Sequence, residues 1–252
     1  MARPVTQGGT PISRVQHLDR FRLLVWLSFG WVGVAPSAAS AGAWLPAPQH
    51  GVLIASLVEV KTDQAQAGTS FEFYGEYGLK RGWAVIVAPS LSSAVQSPNE
   101  SWVLDEVQVG ARRKIYVGKS IAISTQISGF SIPQAKNQNE RAFGVETRVA
   151  VGKSFGEKGW VNIEAASRTC GETGIGSRFD ATLGLNMSKN QRVIVKASGG
   201  GNGCTKAIVR AQLSYVRPIT DKLSLEFGWR QSPDQSATSA DRGLVGGVWQ
   251  KF

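Results

Sequence analysis

Residues 140–153 read ERAFGVETRVAVGK. Phe143, Val145, Thr147, Val149 and Val151 occupy one set of alternate positions, and Gly144, Glu146, Arg148 and Ala150 occupy the other. Successive side chains of a strand point to opposite faces, so the stretch predicts a strand with one apolar face and one charged face. Two further segments repeat it. Phe179, Ala181, Leu183, Leu185 and Met187 alternate with Arg178, Asp180, Thr182, Gly184 and Asn186. Ala207, Val209, Ala211, Leu213 and Tyr215 alternate with Lys206, Ile208, Arg210, Gln212 and Ser214. Residues 121–128, 160–168 and 223–230 do the same.

Working outward, the chain divides into twelve such segments: about 51–61, 70–79, 83–90, 102–116, 120–130, 140–153, 158–168, 178–187, 191–199, 205–216, 222–231 and 241–252. Most have the roughly 9–11 residues that a tilted membrane strand needs. The segments at 51–61 and 83–90 alternate poorly. The connections alternate too. Lys80-Arg81-Gly82, Val117-Gly118-Lys119, Gly156-Glu157, Ser188-Lys189-Asn190 and 217–221 are short. The stretches 62–69, 91–101, 131–139, 169–177 and 232–240 are longer and rich in Ser, Asn, Gln and Gly. Short periplasmic turns and long outer loops are the pattern of an outer-membrane barrel. On the apolar faces, Phe71, Phe143, Phe179 and Trp229 fall near the loop end, and Tyr77, Tyr215 and Phe252 near the turn end. Aromatic rings prefer the two membrane interfaces. The expected fold is all-β: an antiparallel up-and-down transmembrane β-barrel of about 12 strands. The alternative is a secreted β-sandwich, which would turn its apolar faces inward.

Residues 1–41 have a different composition. Arg3, Arg14, Arg20 and Arg22 precede an apolar run at 23–35 (LLVWLSFGWVGVA), and Ala39-Ser40-Ala41 follows. Basic, apolar and small-residue regions in that order predict a cleaved secretory signal peptide over 1–41, leaving 42–252 as the barrel domain. The apolar run is shorter than the roughly 20 residues of a membrane helix. A membrane-spanning mature chain must then be a closed barrel, since only helices and closed barrels pair every backbone polar group in hydrocarbon. The whole chain carries a formal charge of +10. Residues 42–252 hold 24 bases and 17 acids, spread without a Lys/Arg block, so no nucleic-acid partner is expected.

Chemistry is sparse. Barrel enzymes that hydrolyse esters or peptides usually need a histidine beside Ser, Asp or Glu. Of the two histidines, His17 lies in the leader and His50 at the edge of the first strand. No catalytic residue is assigned. Neither a metal nor a cofactor is expected, because no Cys/His spacing fits a metal. Gly199-Gly200-Gly201-Asn202-Gly203 lacks the Lys-Ser/Thr of a phosphate loop. Cys170 and Cys204 both fall in external loops. An even cysteine count in an exported chain fits a disulfide, with two free thiols as the alternative.

The charged faces carry the functional expectation. Candidate pore-lining residues are Arg112, Arg148, Arg178, Arg192, Lys196, Lys206, Arg210 and Arg230, with Glu72, Glu76, Glu106 and Glu146. Lys114, Glu164, Arg168, Asp180 and Glu226 share the inward face. Bases crowd strands eight to ten and acids lean toward strands two to seven. Opposed walls of charge set a transverse field across a pore, and a basic excess favours anions. The expected function is a channel for passive passage of small polar or anionic solutes. The alternative is a non-conducting structural or partner-binding surface barrel, its charges pairing to fill the lumen. Eight strands leave an interior filled by side chains and sixteen leave a channel; twelve lies between.

The chain ends Gly246-Gly247-Val248-Trp249-Gln250-Lys251-Phe252. A C-terminal Phe closing an alternating strand resembles the sorting signal of bacterial outer-membrane proteins. The start Ala41-Gly42-Ala43-Trp44-Leu45-Pro46, with Glu76-Tyr77-Gly78-Leu79, is similar to a group of uncharacterised proteobacterial outer-membrane barrels. The resemblance implies residence in the bacterial outer membrane, contact with its lipid, and recognition of the last strand by the barrel-assembly machinery. It implies no active site.

Overall fold

The computed structural model describes residues 42–61, 67–94, 102–133, 140–171, 174–188, 190–201, 208–232 and 242–252. Twelve strands carry them: β1 (Gly51–Lys61), β2 (Ala67–Gly78), β3 (Trp83–Ala94), β4 (Trp102–Val117), β5 (Ile121–Pro133), β6 (Arg141–Ser154), β7 (Gly159–Cys170), β8 (Gly174–Ser188), β9 (Gln191–Gly200), β10 (Ile208–Pro218), β11 (Leu223–Gln231) and β12 (Arg242–Lys251). Each pairs antiparallel with the next, and β1 closes on β12. Residues 1–41, read above as a signal peptide, lie outside the described residues.

The period-two pattern now has a direction. In β7, Trp160, Asn162, Glu164, Ala166, Arg168 and Cys170 are buried, while Ile163, Ala165, Ser167 and Thr169 are exposed. In β5 the small and amide residues at 122–128 turn inward. Large apolar side chains cover the outside: Ile127, Val145, Val149, Leu213, Phe227 and Leu244 are all about half exposed or more. A soluble sandwich hides its apolar faces; this barrel exposes them and buries its charges, the arrangement required by lipid. Phe143, Phe179 and Trp229 stand on the outside near the loop ends of their strands, and Tyr77 and Phe252 near the turn ends.

The seam between β1 and β12 is fastened at its turn end. Gly51 and Phe252 exchange backbone hydrogen bonds of 2.9 and 3.1 Å. The Phe252 ring covers Gly51 so closely that a Cβ there would strike it. The ring also stacks on Tyr77 of β2, with centroids 6.1 Å apart. The terminal aromatic thus joins first, second and last strands.

Two expectations need correction. The long loop read at 169–177 is largely strand: β7 and β8 pair as far as Cys170 and Gly174. Its Gly, Ser and Thr residues have loop composition, yet small side chains fit an antiparallel ladder, and Ile175 points outward at 80% exposure. The connection read at 91–101 also begins later: β3 runs on to Ala94, past a bulge at Asp105 of β4 where Ser90 pairs Glu106 and Leu91 pairs Leu104. The third segment alternates poorly in sequence because its inward residues are apolar too: Ala84 and Ile86 are buried, while Trp83, Val85 and Val87 are exposed.

Midway down β6, opposite Ala165, Val149 faces lipid. Val149→Arg is expected to cost about 2–4 kcal/mol in urea unfolding from lipid vesicles, and Ile175→Arg at the loop end no more than about 1 kcal/mol.

Candidate functional site in the lumen

Even-numbered positions of β5 to β8, and of β4 from Glu106 to Arg112, face the lumen, and they bring acids and bases to neighbouring heights. Glu146 pairs directly opposite Arg168, and Glu164 directly opposite Asp180. Two carboxylates across one ladder repel. Arg148 resolves this by placing Nη1 at 2.6 Å from Glu164 and 3.2 Å from Asp180. Its Nε donates to Glu146 at 2.9 Å. Glu146 is fully buried and also accepts from Gln108 Nε2 at 2.9 Å and from Arg168 Nε. Arg168 grips Glu106 with both terminal nitrogens, at 3.1 and 2.7 Å, and lies 4.6 Å over the Phe130 ring. Arg112 donates to Gln126 at 2.6 Å and stands 3.7 Å from Glu164 and 3.8 Å from Glu76. Arg178 adds a contact to Asp180 at 3.0 Å. Among the described residues, this connected ladder holds five carboxylates and four guanidiniums.

A second cluster lies across the seam. Arg230 of β11 reaches Glu72 of β2 with two bonds of 2.5 and 2.8 Å, passing over β12 and β1. Its Nε donates to Gln212, whose amide donates to Glu226 at 3.0 Å. Trp249 Nε1 donates to the other oxygen of Glu226 at 2.7 Å. Lys196 completes the group at 3.8 Å from Glu226 and 5.8 Å from the Trp249 ring centre.

The charges therefore do not separate into an acidic and a basic wall. Arg112, Arg148 and Arg168 are interleaved with the acids of β4 to β7. The basic excess on β8 to β10 remains. Arg178 and Arg210 lie near the loop end, Lys196 midway, and Arg192 at the turn end beside Asn186 at 3.0 Å. Of the inward acids, Asp180 alone lies on these strands among the described residues. The side chains of Arg178 and Lys196 are 38% and 35% exposed, against 3–10% for Arg112, Arg148 and Arg168. The two regions differ in exposure: the guanidiniums of β4 to β7 are enclosed, whereas Arg178 and Lys196, though paired with Asp180 and Glu226, keep about a third of their surface open.

No protein-family model and no curated protein matches the sequence. Solved structures do match the fold. The KdgM porin is 7% identical, covering 80% of this chain and 99% of its own, with a TM-score of 0.57. The NanC porin is 8% identical, covering 80% and 100%, at 0.54. An outer-membrane channel from Pseudomonas putida F1 is 11% identical, covering 85% and 100%, at 0.58. The shared property is the closed antiparallel barrel.

Lys114 is exposed at the turn end, and Lys206 and Cys204 lie outside the described residues. Cys170 is buried beside Phe130 and Ile132 at the loop end. His50 is exposed, with Nδ1 3.0 Å from the Pro48 carbonyl. Among the described residues, no His/Cys/Asp/Glu group has metal-binding geometry. Sequence reasoning missed the amides Gln108, Gln126 and Asn162, although they share the parity of the charged residues. It also missed a strap at 42–50. Residues 46 and 47 lie against Gly78 of β2, and Trp44 against Gly152 of β6. The strap crosses the turn end of the lumen.

Removing one member of the ladder strands its partners. Glu146→Ala is expected to lower stability by about 3–5 kcal/mol in urea unfolding, as for a broken buried ion pair. Glu146→Leu combined with Arg168→Leu is expected to cost less than the sum of the single changes.

Proposed function

We propose that residues 42–252 form a non-enzymatic outer-membrane channel for small anionic or polar solutes. The observation that carries the reading is the run of cations along β8 to β10, from the loop end to the turn end, beside the wall of β4 to β7 whose cations are enclosed in ion pairs. An anion on that run meets Arg178 or Arg210, then Lys196, then Arg192. Partly exposed cations lower the entry barrier for anions and leave exit possible, because no single site holds all the charge. The paired wall adds little net field. The likeness to porins supports this reading through fold alone. His50 is exposed and its ring nitrogen meets a backbone carbonyl, Pro48 O, which supports a non-enzymatic role.

In the same reading, 1–41 direct export and are cleaved, and the strand ending in Phe252 is presented to the barrel-assembly machinery. The belt of exposed aliphatic residues then faces outer-membrane lipid. Cys170 and Cys204 form a loop-end bridge. Gly201 supports it by donating to Ser177 O at 3.0 Å, which ties the start of that connection to β8, the neighbour of β7. Three residues of chain reach about 10 Å.

In planar bilayers the protein is expected to give stepwise, anion-selective conductance. Lys196→Gln with Arg210→Gln is expected to move the reversal potential in a salt gradient toward zero. A silent barrel, or a selectivity indifferent to both changes, rejects the channel. The bridge is checked on gels: wild type is expected to migrate differently with and without reductant, and Cys204→Ser identically in both.

A further inference from the structure

The strap is held inside the lumen by specific bonds. The Gly42 carbonyl accepts from Arg112 Nη1 at 2.6 Å and from Ser124 Oγ at 3.2 Å. The Ala43 amide donates to Asn162 Oδ1 at 2.9 Å. Ala43 is fully buried against Ala122 and Ala150. Trp44 lies on Gly152, where a Cβ would collide, and meets Trp160 edge-on at 6.4 Å. Both Gly42 and Ala43 are buried at the point where the expected signal peptide ends.

The neighbouring charges do not balance. The ladder holds one more carboxylate than guanidinium. The excess has a location: Glu76 is 2% exposed, and its Oε1 has no hydrogen-bond partner. Its Oε2 accepts from Tyr74 Oη at 2.7 Å. Its nearest guanidinium, Arg112, stands off at 3.8 Å because Nη1 is given to the Gly42 carbonyl. A buried carboxylate oxygen left open is costly, and a buried ion network is stable when every member is satisfied. One positive charge is wanted, beside Gly42.

We propose that this charge is the α-ammonium of Gly42 itself. The inference rests on the reading that 1–41 are removed. A signal peptidase adds water across the Ala41–Gly42 peptide bond. The C–N bond breaks, oxygen goes to the Ala41 carboxylate, and the new amine takes a proton. An α-amino group with a pKa of roughly 7.7–8.0 is largely protonated at neutral pH. Before cleavage that nitrogen is an uncharged amide, joined to the Ala41 carbonyl and preceded by 41 residues of leader. After cleavage it pairs with Glu76, supplies the fifth cation of the ladder, and latches the strap across the turn end of the pore. Gly42 suits the place: a Cβ there would strike the Asn162 side chain. Processing and completion of the lumen become one event.

The test uses protein purified from membranes of cells expressing the full chain. N-terminal sequencing is expected to begin at Gly42; another start overturns the cleavage reading and the latch with it. With a Gly42 start, an amine-reactive reagent at neutral pH is expected to modify the α-amine of the folded barrel at least about tenfold more slowly than that of the urea-unfolded chain, since modification requires local opening. Equal rates overturn the latch and leave cleavage standing. Glu76→Gln, shown to be folded by its heat-modifiable gel mobility, is expected to restore fast labelling. A folded Glu76→Gln that stays protected shows that packing alone holds the strap, and overturns the ion pair. The wild-type comparison stands whether or not that variant folds.

Discussion

Hydrocarbon offers no hydrogen bonds, and the rest of this structure follows from that. Every strand must find two neighbours, so the sheet must close. Closure forces β1 onto β12 and makes the Gly51–Phe252 exchange the terminal link of a continuous ladder. Once the sheet is closed, alternation leaves one face for lipid and one for the interior. Aliphatic side chains take the first. The charges of β6 and β7 that face inward, Glu146, Arg148, Glu164 and Arg168, take the second.

Confinement explains why the charges are paired. Glu146 beside Arg148, Arg168 and Gln108 is a carboxylate whose acceptor capacity is filled in place of water. Such networks are weak evidence for raw stability. Their stronger effect here is on register. A slip of one residue in β6 or β7 would turn Glu146 or Arg168 into lipid and Val145 or Ile163 into the lumen. The ladder and the aliphatic belt therefore specify the same alignment from opposite sides of the wall.

Much of this was legible in order along the chain. Strand number, the short turns and the facing of Val145 or Glu146 follow from period two. Strand ends were less legible: Gly174 to Ser177 have the composition of a loop, and only pairing with β7 makes them strand. The partners of the charges were illegible for a geometric reason. Composition puts Arg112, Arg148 and Arg168 in a basic tally, whereas diagonal reach across the ladder decides whom they bind. The strap left no signal, because Gly42, Ala43 and Trp44 have no periodicity. Their place depends on the cavity formed by Ala122, Ala150 and Gly152.

Glu72 and Arg230 stand 158 residues apart in the chain and meet across the closing seam. The carboxylate belongs to the first hairpin, the guanidinium to the last. During synthesis and insertion, Glu72 exists well before the guanidinium that grips it. A polypeptide truncated ahead of β11, or one whose ends have not met, lacks that pair. The pair is in this sense a signature of completeness: it forms only in a molecule that has both its beginning and its end.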